Sequence, residues 1–467
     1  MTAPTTTLAA RRLGDWCAEL TWQQLPAIVQ TRATDLTLDL IGVAIRGSSE
    51  ASSEPVRNLV RGYANAHGSS GVGLADRLVP AAAALLNGSA AHSIELDDVT
   101  RESSLHPGVT VIPAALAVAE QRGCTGLAFL EAVVAGYEVV MRVGNALNPA
   151  AAYERGFHPT GVAGAFGAAA ASARLLGLDG AGIGRALGIA GTMASGSMEY
   201  LSDGSWTKRL NAGWAAHVGV MAAELAAAGF TGPASALEGR FGALRAFSDA
   251  ARPAALTLGL GASWQITRVA IKPYACCRYN HGLIDAALAL RADHDIDPTA
   301  VRRVRLGVLS AGSPLVAEPI EQKRAPANPV DAQFSAPYAA AIALLLGAAG
   351  TAQYDQQVID DPRIRALMAV TDCYTSAELD APYPQQWPAA VEIEMSDGRI
   401  HRTRVDYALG EPENPLPRAS LRRKFTELVG DRLPTGEADR LEAAIVGLAG
   451  APSVRDIADT LRLVRSA

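Results

Sequence analysis

Seven stretches before residue 230 place apolar side chains three or four residues apart, and almost nothing in that span alternates with the period of a strand. They cover 34–46, 80–96, 113–122, 126–145, 160–176, 183–193 and 212–228. Such a chain must pack helix against helix. Its punctuation agrees: Gly123, Gly177 and Gly229 follow apolar runs as C-caps, and Pro113 suits a first helical position. Aromatic residues are only 5% of the chain, while glycine and alanine are abundant, so the helices can approach closely. Gly161, Gly164 and Gly167 recur at helical spacing and serve that approach. No strand leads into them as a dinucleotide-binding loop requires.

The texture changes near residue 263. Residues 265–272 (QITRVAIK) alternate and are β-branched, which reads as a strand, and 304–309 is another. Residues 391–395 and 400–405 flank Asp397-Gly398 as a hairpin. Helical patterns at 282–291 and 335–346 lie between these strands. A polar, proline-containing stretch follows Gly410, and 421–464 is helical again. The expected fold is mainly α with an α+β part. It comprises a large helical domain (1–262), a smaller α+β domain (263–410) and a C-terminal helical segment (411–467) that returns to the first.

Several function classes drop out. A formal charge of −6 argues against a dedicated nucleic-acid binder. The most apolar stretch, 338–350, falls short of the roughly 20 residues that span a bilayer and reads as a buried helix. Residues 1–16 hold two arginines with no apolar run behind them, unlike a secretory signal. The five cysteines have neither zinc-site nor disulfide-framework spacing, and the cytoplasm is the expected compartment. HExxH, paired CxxC, EF-hand and GxSxG patterns are all missing.

Four polar clusters remain. The first runs His92-Ser-Ile-Glu95-Leu-Asp97-Asp98 and continues to His106-Pro107-Gly108. Adjacent carboxylates raise one another's pKa and ease protonation of a nearby histidine, so the group suits proton transfer. A solvated acidic helix end is the competing reading. The second is Arg155-Gly-Phe-His158-Pro-Thr-Gly161, with His158 ahead of a small-residue helix; it is either structural or faces an anion at that helix's N-terminus. The third, 202–213, puts Lys208 and Arg209 at the mouth of a helix as a carboxylate clamp or a solvated basic turn. The fourth runs Lys272-Pro-Tyr-Ala-Cys276-Cys277-Arg278-Tyr-Asn-His281, a strand-to-helix junction with more polar groups than packing needs. Together they fit proton abstraction next to a carboxylate, with ammonium and guanidinium groups stabilising the enediolate-like charge.

The order and spacing of these clusters resemble the MmgE/PrpD family, whose members include 2-methylcitrate dehydratase, cis-aconitate decarboxylase and iminodisuccinate epimerase. The resemblance is nearly full length. It also takes in Ala135-Gly-Tyr137-Glu-Val-Val-Met-Arg142-Val-Gly144, 191–219, and Gly229-Phe-Thr-Gly-Pro233 with Leu237-Glu238-Gly239. It implies a helical domain with a smaller α+β lid, an active site in the cleft between them, a homodimer, and no metal, iron–sulfur cluster or other cofactor. By position it places His106, His158, Lys208, Lys272, Glu95 and, by a looser match, Tyr338 in the active site. Four positions depart from the family pattern. Glu95 stands for Asp, Val99-Thr100 for Thr-His, Asn211 for a frequent His, and Cys277 for the further His of decarboxylase-like members.

The expected activity is therefore that of a cofactor-independent lyase or isomerase acting on a small polycarboxylic acid. His106 and His158 are the base and acid in unassigned order, and Glu95 and Asp97 orient or tune a histidine. Lys208, Lys272, Arg278 and Cys277 bind substrate, and Tyr338 delivers a proton. Two alternatives stand beside it: a catabolic or secondary-metabolic member taking a larger, less charged substrate, or a non-catalytic carboxylate-binding protein.

Overall fold

The computed structural model describes residues 8–294 and 296–465. The chain divides into two units. One holds the residues up to Ser93, Asp97–Val269 and those from Pro417 on, and the other holds Ile94–Leu96 and Ala270–Leu416. The sequence reading drew its boundaries at 262/263 and 410/411. Residues 263–269 stay with the helical unit because they are tied to one of its helices, as described below.

The helical unit begins with α1 (Ala9–Glu19), α2 (Ala27–Gly47) and α3 (Ser53–Val60). It continues through α4 (Pro80–Ala91), α5 (Gly108–Arg122), α6 (Gly126–Leu147), α7 (Pro149–Glu154), α8 (Pro159–Leu175), α9 (Gly180–Met193) and α10 (Thr207–Ala227). The centre is α8, packed against α6 and α10, with α4 on the far side of α10. Of these, α4 and α8 are alanine-rich and buried nearly all round, so close approach replaces large side chains as the source of contact. At Gly167 a Cβ would lie 2.6 Å from Val140 Cβ and 2.9 Å from the Gly136 carbonyl oxygen, so only glycine lets α8 sit this close to α6. Gly123 closes α5 in the left-handed conformation (φ 64°). The helices Arg418–Val429, Glu437–Val446 and Arg455–Leu461 complete this unit. The first of them packs on α2 and buries Lys424, whose Nζ is 2.5 Å from Asp39 Oδ1.

Four local expectations need correction. Residues 265–272 do not form a strand: Gln265–Arg268 is a 3-10 turn. The buried Glu138 carboxylate of α6 accepts the backbone N–H groups of Gln265 and Ile266, while Arg142 donates to the carbonyls of Leu258 and Ser263. Those bonds hold the start of the segment and the turn before it without a ladder, so its alternation reports burial and not pairing. Helix α5 starts at Gly108, which puts Pro113 inside it. Helix α4 stops at Ala91 and not at 96, because His92 turns out of the helix to reach Asp97. The antiparallel pair β1 (Ala64–Ser70) and β2 (Arg77–Leu78) was not expected, since ANAHGSS is small and polar.

The second unit holds a four-stranded sheet, ordered β4 (Thr371–Tyr374), β3 (Val301–Gly307), β5 (Ala389–Met395), β6 (Ile400–Val405). β3 and β4 are parallel, and the remaining pairs are antiparallel. The β5–β6 connection is the expected Asp397-Gly398 turn, with Gly398 at φ 88°. Along β5 the side chains of Ala389, Val391, Ile393 and Met395 are buried and the intervening ones only partly so. Each larger one contributes roughly 1.5–3 kcal/mol of apolar burial. The helix His281–Asp293 lies against β5 and β6, and the apolar helix Ala336–Leu346 packs on it. Among the described residues, no helix is long and apolar enough to cross a membrane.

Candidate active site

In the helical unit, the 97–107 loop is a buried polar structure held at both ends. Asp98 Oδ1 accepts the Gly108 N–H (2.9 Å) at the start of α5, and its Oδ2 accepts the Tyr137 hydroxyl (2.7 Å) of α6. Burial, with Asp97 and Asp39 nearby, raises Asp98 to about 7 against the pull of those two donors. The Thr100 N–H meets the Leu105 carbonyl across the loop, and Ser104 adopts φ 47° with its carbonyl accepting the Tyr153 hydroxyl.

This loop presents Asp97, whose side chain is fully buried, to two imidazoles. Its Oδ2 lies 3.0 Å from His92 Nδ1 and 2.8 Å from His106 Nδ1. His106 Nδ1 is also 2.9 Å from the Asp98 carbonyl oxygen. A carbonyl oxygen only accepts, so the His106 Nδ1 carries the proton and Nε2 is the nitrogen left to accept one. His158 caps α8, its backbone N–H bonded to the Gly196 carbonyl. Its ring stacks on His92 at 6.1 Å and meets Tyr200 edge-on at 5.7 Å. Asn211 Nδ2 donates to the Ser197 carbonyl (3.1 Å), which sets that amide's orientation, and also lies 3.4 Å from His158 Nδ1. An amide N–H facing Nδ1 makes that nitrogen the acceptor and leaves the His158 proton on Nε2. The two histidines thus hold opposite tautomers.

The three donor atoms of His92, Asp97 and His106 fall within 4.8 Å of one another, a span that a metal ion can bridge. Here N–H···O bonds of ordinary length account for the convergence, and both Nδ1 protons would have to leave to admit an ion. Lys208 and Arg209 open α10 as the sequence suggested; Lys208 is half-buried, and Arg209 donates to Ser52 Oγ (2.7 Å).

In the second unit, Lys272 and Glu95 come together. Both are buried: Nζ donates to the Glu95 carbonyl (3.1 Å) and lies 3.6 Å from Glu95 Oε2. Glu95 holds φ 53°, which costs a non-glycine residue roughly 1–3 kcal/mol and is typical of positions kept for function. Of the two acids expected to serve a histidine, Asp97 contacts two and Glu95 faces the ammonium. The Gln333 side chain donates to the Ile94 carbonyl (3.2 Å), and its backbone carbonyl accepts the Cys277 N–H (2.9 Å). Cys276 is buried, which pushes its thiol up to about 12. Two expected ligand-handling groups have protein partners. Arg278 donates to Glu411 and stacks over Trp387 (5.5 Å), and the Tyr338 hydroxyl donates to the Gln353 carbonyl (2.5 Å).

Sequence reasoning quoted His92 without giving it a role, and it treated Asn211 only as a departure. His92 follows an alanine-rich helix and carries no local signal beyond the carboxylate five residues on.

An enzyme of the lyase type is the class that this chain represents. The chain belongs to the MmgE/PrpD family: residues 11–255 match the MmgE/PrpD N-terminal domain and 274–449 the MmgE/PrpD C-terminal domain. It is similar to cis-aconitate decarboxylase-like protein oryM of Aspergillus oryzae, 30% identical over 97% of this chain and 96% of the relative. Cis-aconitate decarboxylase of Aspergillus terreus is 28% identical over 96% and 94% of the two chains. The Homo sapiens cis-aconitate decarboxylase is 29% identical over 84% and 82%.

Proposed function

We propose that this chain is a lyase that moves protons next to a carboxylate of a small polycarboxylic acid of the cis-aconitate class, with His106 as base and His158 as acid. The observation that carries this reading is the contrast in what faces the two Nδ1 atoms, a carboxylate and a carbonyl oxygen at His106 and an amide nitrogen at His158. Asp97 and the Asp98 carbonyl hold the proton of His106 on Nδ1, and Asn211 leaves that of His158 on Nε2. His106 Nε2 takes a proton from the carbon beside a carboxylate, and the electron pair moves into that carboxylate as an enediolate. Lys272 and Lys208 meet the added negative charge. His158 Nε2–H then gives its proton to the departing hydroxyl. Where carbon dioxide is the leaving group, the C–C bond breaks, its electron pair stays on carbon, and His158 protonates that carbon. The relatives' names favour loss of carbon dioxide, and the Cys277 and Val99 departures favour a substrate that differs in detail.

The test is NMR in deuterated water with cis-aconitate, citrate and 2-methylcitrate. Deuterium entering carbon beside a carboxylate, with release of carbon dioxide or water, is expected. No exchange and no product from any of the three would overturn the reading. Exchange without net conversion would replace the lyase with an epimerase.

Asn211→Asp tests the tautomer assignment. A carboxylate at this position accepts, so it would draw the His158 proton to Nδ1 and remove it from Nε2. A fall in kcat of at least about tenfold is expected, within the range of general acid–base contributions. Unchanged kcat would remove His158 as the acid. A homodimer has support in the exposed Leu210, Trp214 and Met221 along α10. Among the described residues the five cysteines are free thiols, which supports a cytoplasmic location.

A further inference from the structure

Asp97 Oδ2 serves two imidazoles, and only one of them has a part in the chemistry above. His92 is fully buried at the end of α4. Its Nδ1 faces that oxygen at 3.0 Å, and among the described residues its Nε2 has no hydrogen-bond partner. A buried nitrogen left without a partner costs about 1–3 kcal/mol. Packing alone would be served better by an apolar ring. Its ring and that of His106 meet edge to face, with the centroids 4.7 Å apart, and it stacks on His158.

We infer that His92 is a positioning residue: by donating its Nδ1–H to the carboxylate oxygen that also receives the His106 Nδ1–H, it limits how strongly Asp97 holds a proton on His106. Each hydrogen bond that an oxygen accepts withdraws part of its charge. With two donors, Asp97 orients His106 but stabilises the His106 imidazolium less than it would alone. His106 therefore stays neutral, and able to act as a base, at a lower pH than it would beside an undivided carboxylate.

Other charged groups surround Asp97 and Asp98 and are common to wild type and variant. Asp98 and Asp97 lie on the loop, Asp39 and Arg32 come from α2, and Lys424 pairs with Asp39. Tyr137 of α6 holds Asp98, His158 faces His92 from the N-cap of α8, and Tyr200 of the 3-10 turn Glu199–Leu201 faces His158 in turn.

This role rests on the reading of His106 as the base, but its test needs no substrate. The full-length protein, labelled with ¹⁵N-histidine, is titrated by NMR, and the His106 ring signals are followed. Asparagine places an amide N–H where Nδ1 stands, whereas glutamine and phenylalanine do not. The His106 midpoint is expected to stay within about 0.3 pH unit of wild type in His92→Asn. It should rise by about one unit, a tenfold change in proton affinity, in His92→Gln and His92→Phe. The two removal variants report independently if one of them fails to fold. A midpoint unmoved in either removal variant would overturn the inference. So would an equal shift in His92→Asn, because His92 would then act through bulk or charge and not through its hydrogen bond. A shifted midpoint combined with no turnover of any polycarboxylate would leave this coupling standing and remove the proposed reaction instead.

Discussion

Replacing His106 by asparagine is expected to lower kcat by roughly 10²–10⁴-fold, the range that a positioned general base contributes. The choice of asparagine follows from the geometry. The His106 Nδ1–H donates to Asp97 Oδ2 at 2.8 Å and faces the Asp98 carbonyl oxygen at 2.9 Å. An asparagine amide N–H occupies nearly the same place as Nδ1, so Asp97 keeps a donor and the loop keeps its tie. Only the Nε2 side of the ring disappears. Circular dichroism and the urea midpoint should therefore stay near wild type while turnover collapses. A rate within tenfold of wild type would show that another group takes the proton. The same variant fixes the direction of the pH dependence. The base must be unprotonated, so wild-type kcat/KM should fall as pH drops through the His106 midpoint, and the asparagine variant should lack that limb.

How much of this was legible in the sequence depends on how local each signal was. Helical spacing located all seven of the long helical segments before residue 230, and Asp397-Gly398 located the hairpin, because those patterns are complete within a dozen residues. The same logic misplaced 265–272. Ile266, Val269 and Ile271 are indeed buried, but the backbone N–H groups of Gln265 and Ile266 bond Glu138, 127 residues before Gln265 in the chain. β1 escaped because its pairing with β2 places small polar residues under Glu120 of α5, whose carboxylate accepts from Ser70. For the site, the density of titratable groups around 92–106 was visible, and so was the pair His106 and His158. What sequence could not supply was the partner of each. Arg278 reads as a free cation until Glu411, 133 residues on, is placed against it. The tautomers are the extreme case. Each is set by one acceptor or donor, and Asn211 is 53 residues from the ring it addresses.

The other large effect is expected at Lys272, and it needs two substitutions to interpret. Its ammonium is buried, within 3.6 Å of the buried Glu95 carboxylate. Lys272→Met alone removes the ammonium 3.6 Å from that carboxylate. Breaking a buried pair from one side costs about 3–5 kcal/mol, so the single variant should be both less stable and inactive, and its inactivity would prove little. Lys272→Met combined with Glu95→Gln removes both charges. An uncharged, similarly sized pair is often neutral for stability, so the double variant should recover most of the urea midpoint. If Lys272 meets charge that develops on the substrate, the double variant should still turn over about 10²–10³-fold more slowly than wild type, the cost of losing one such donor. Recovery of rate along with stability would assign Lys272 to holding Glu95 in its strained φ 53° conformation and remove it from the chemistry. The converse, Glu95→Gln alone, removes a carboxylate charge from beside the ammonium and keeps the backbone carbonyl that the ammonium donates to. Tighter binding of a tricarboxylate, seen as a lower KM, is the signature that the lysine serves an acid ligand, because a carboxylate brought in by substrate then meets an ammonium with one carboxylate fewer beside it.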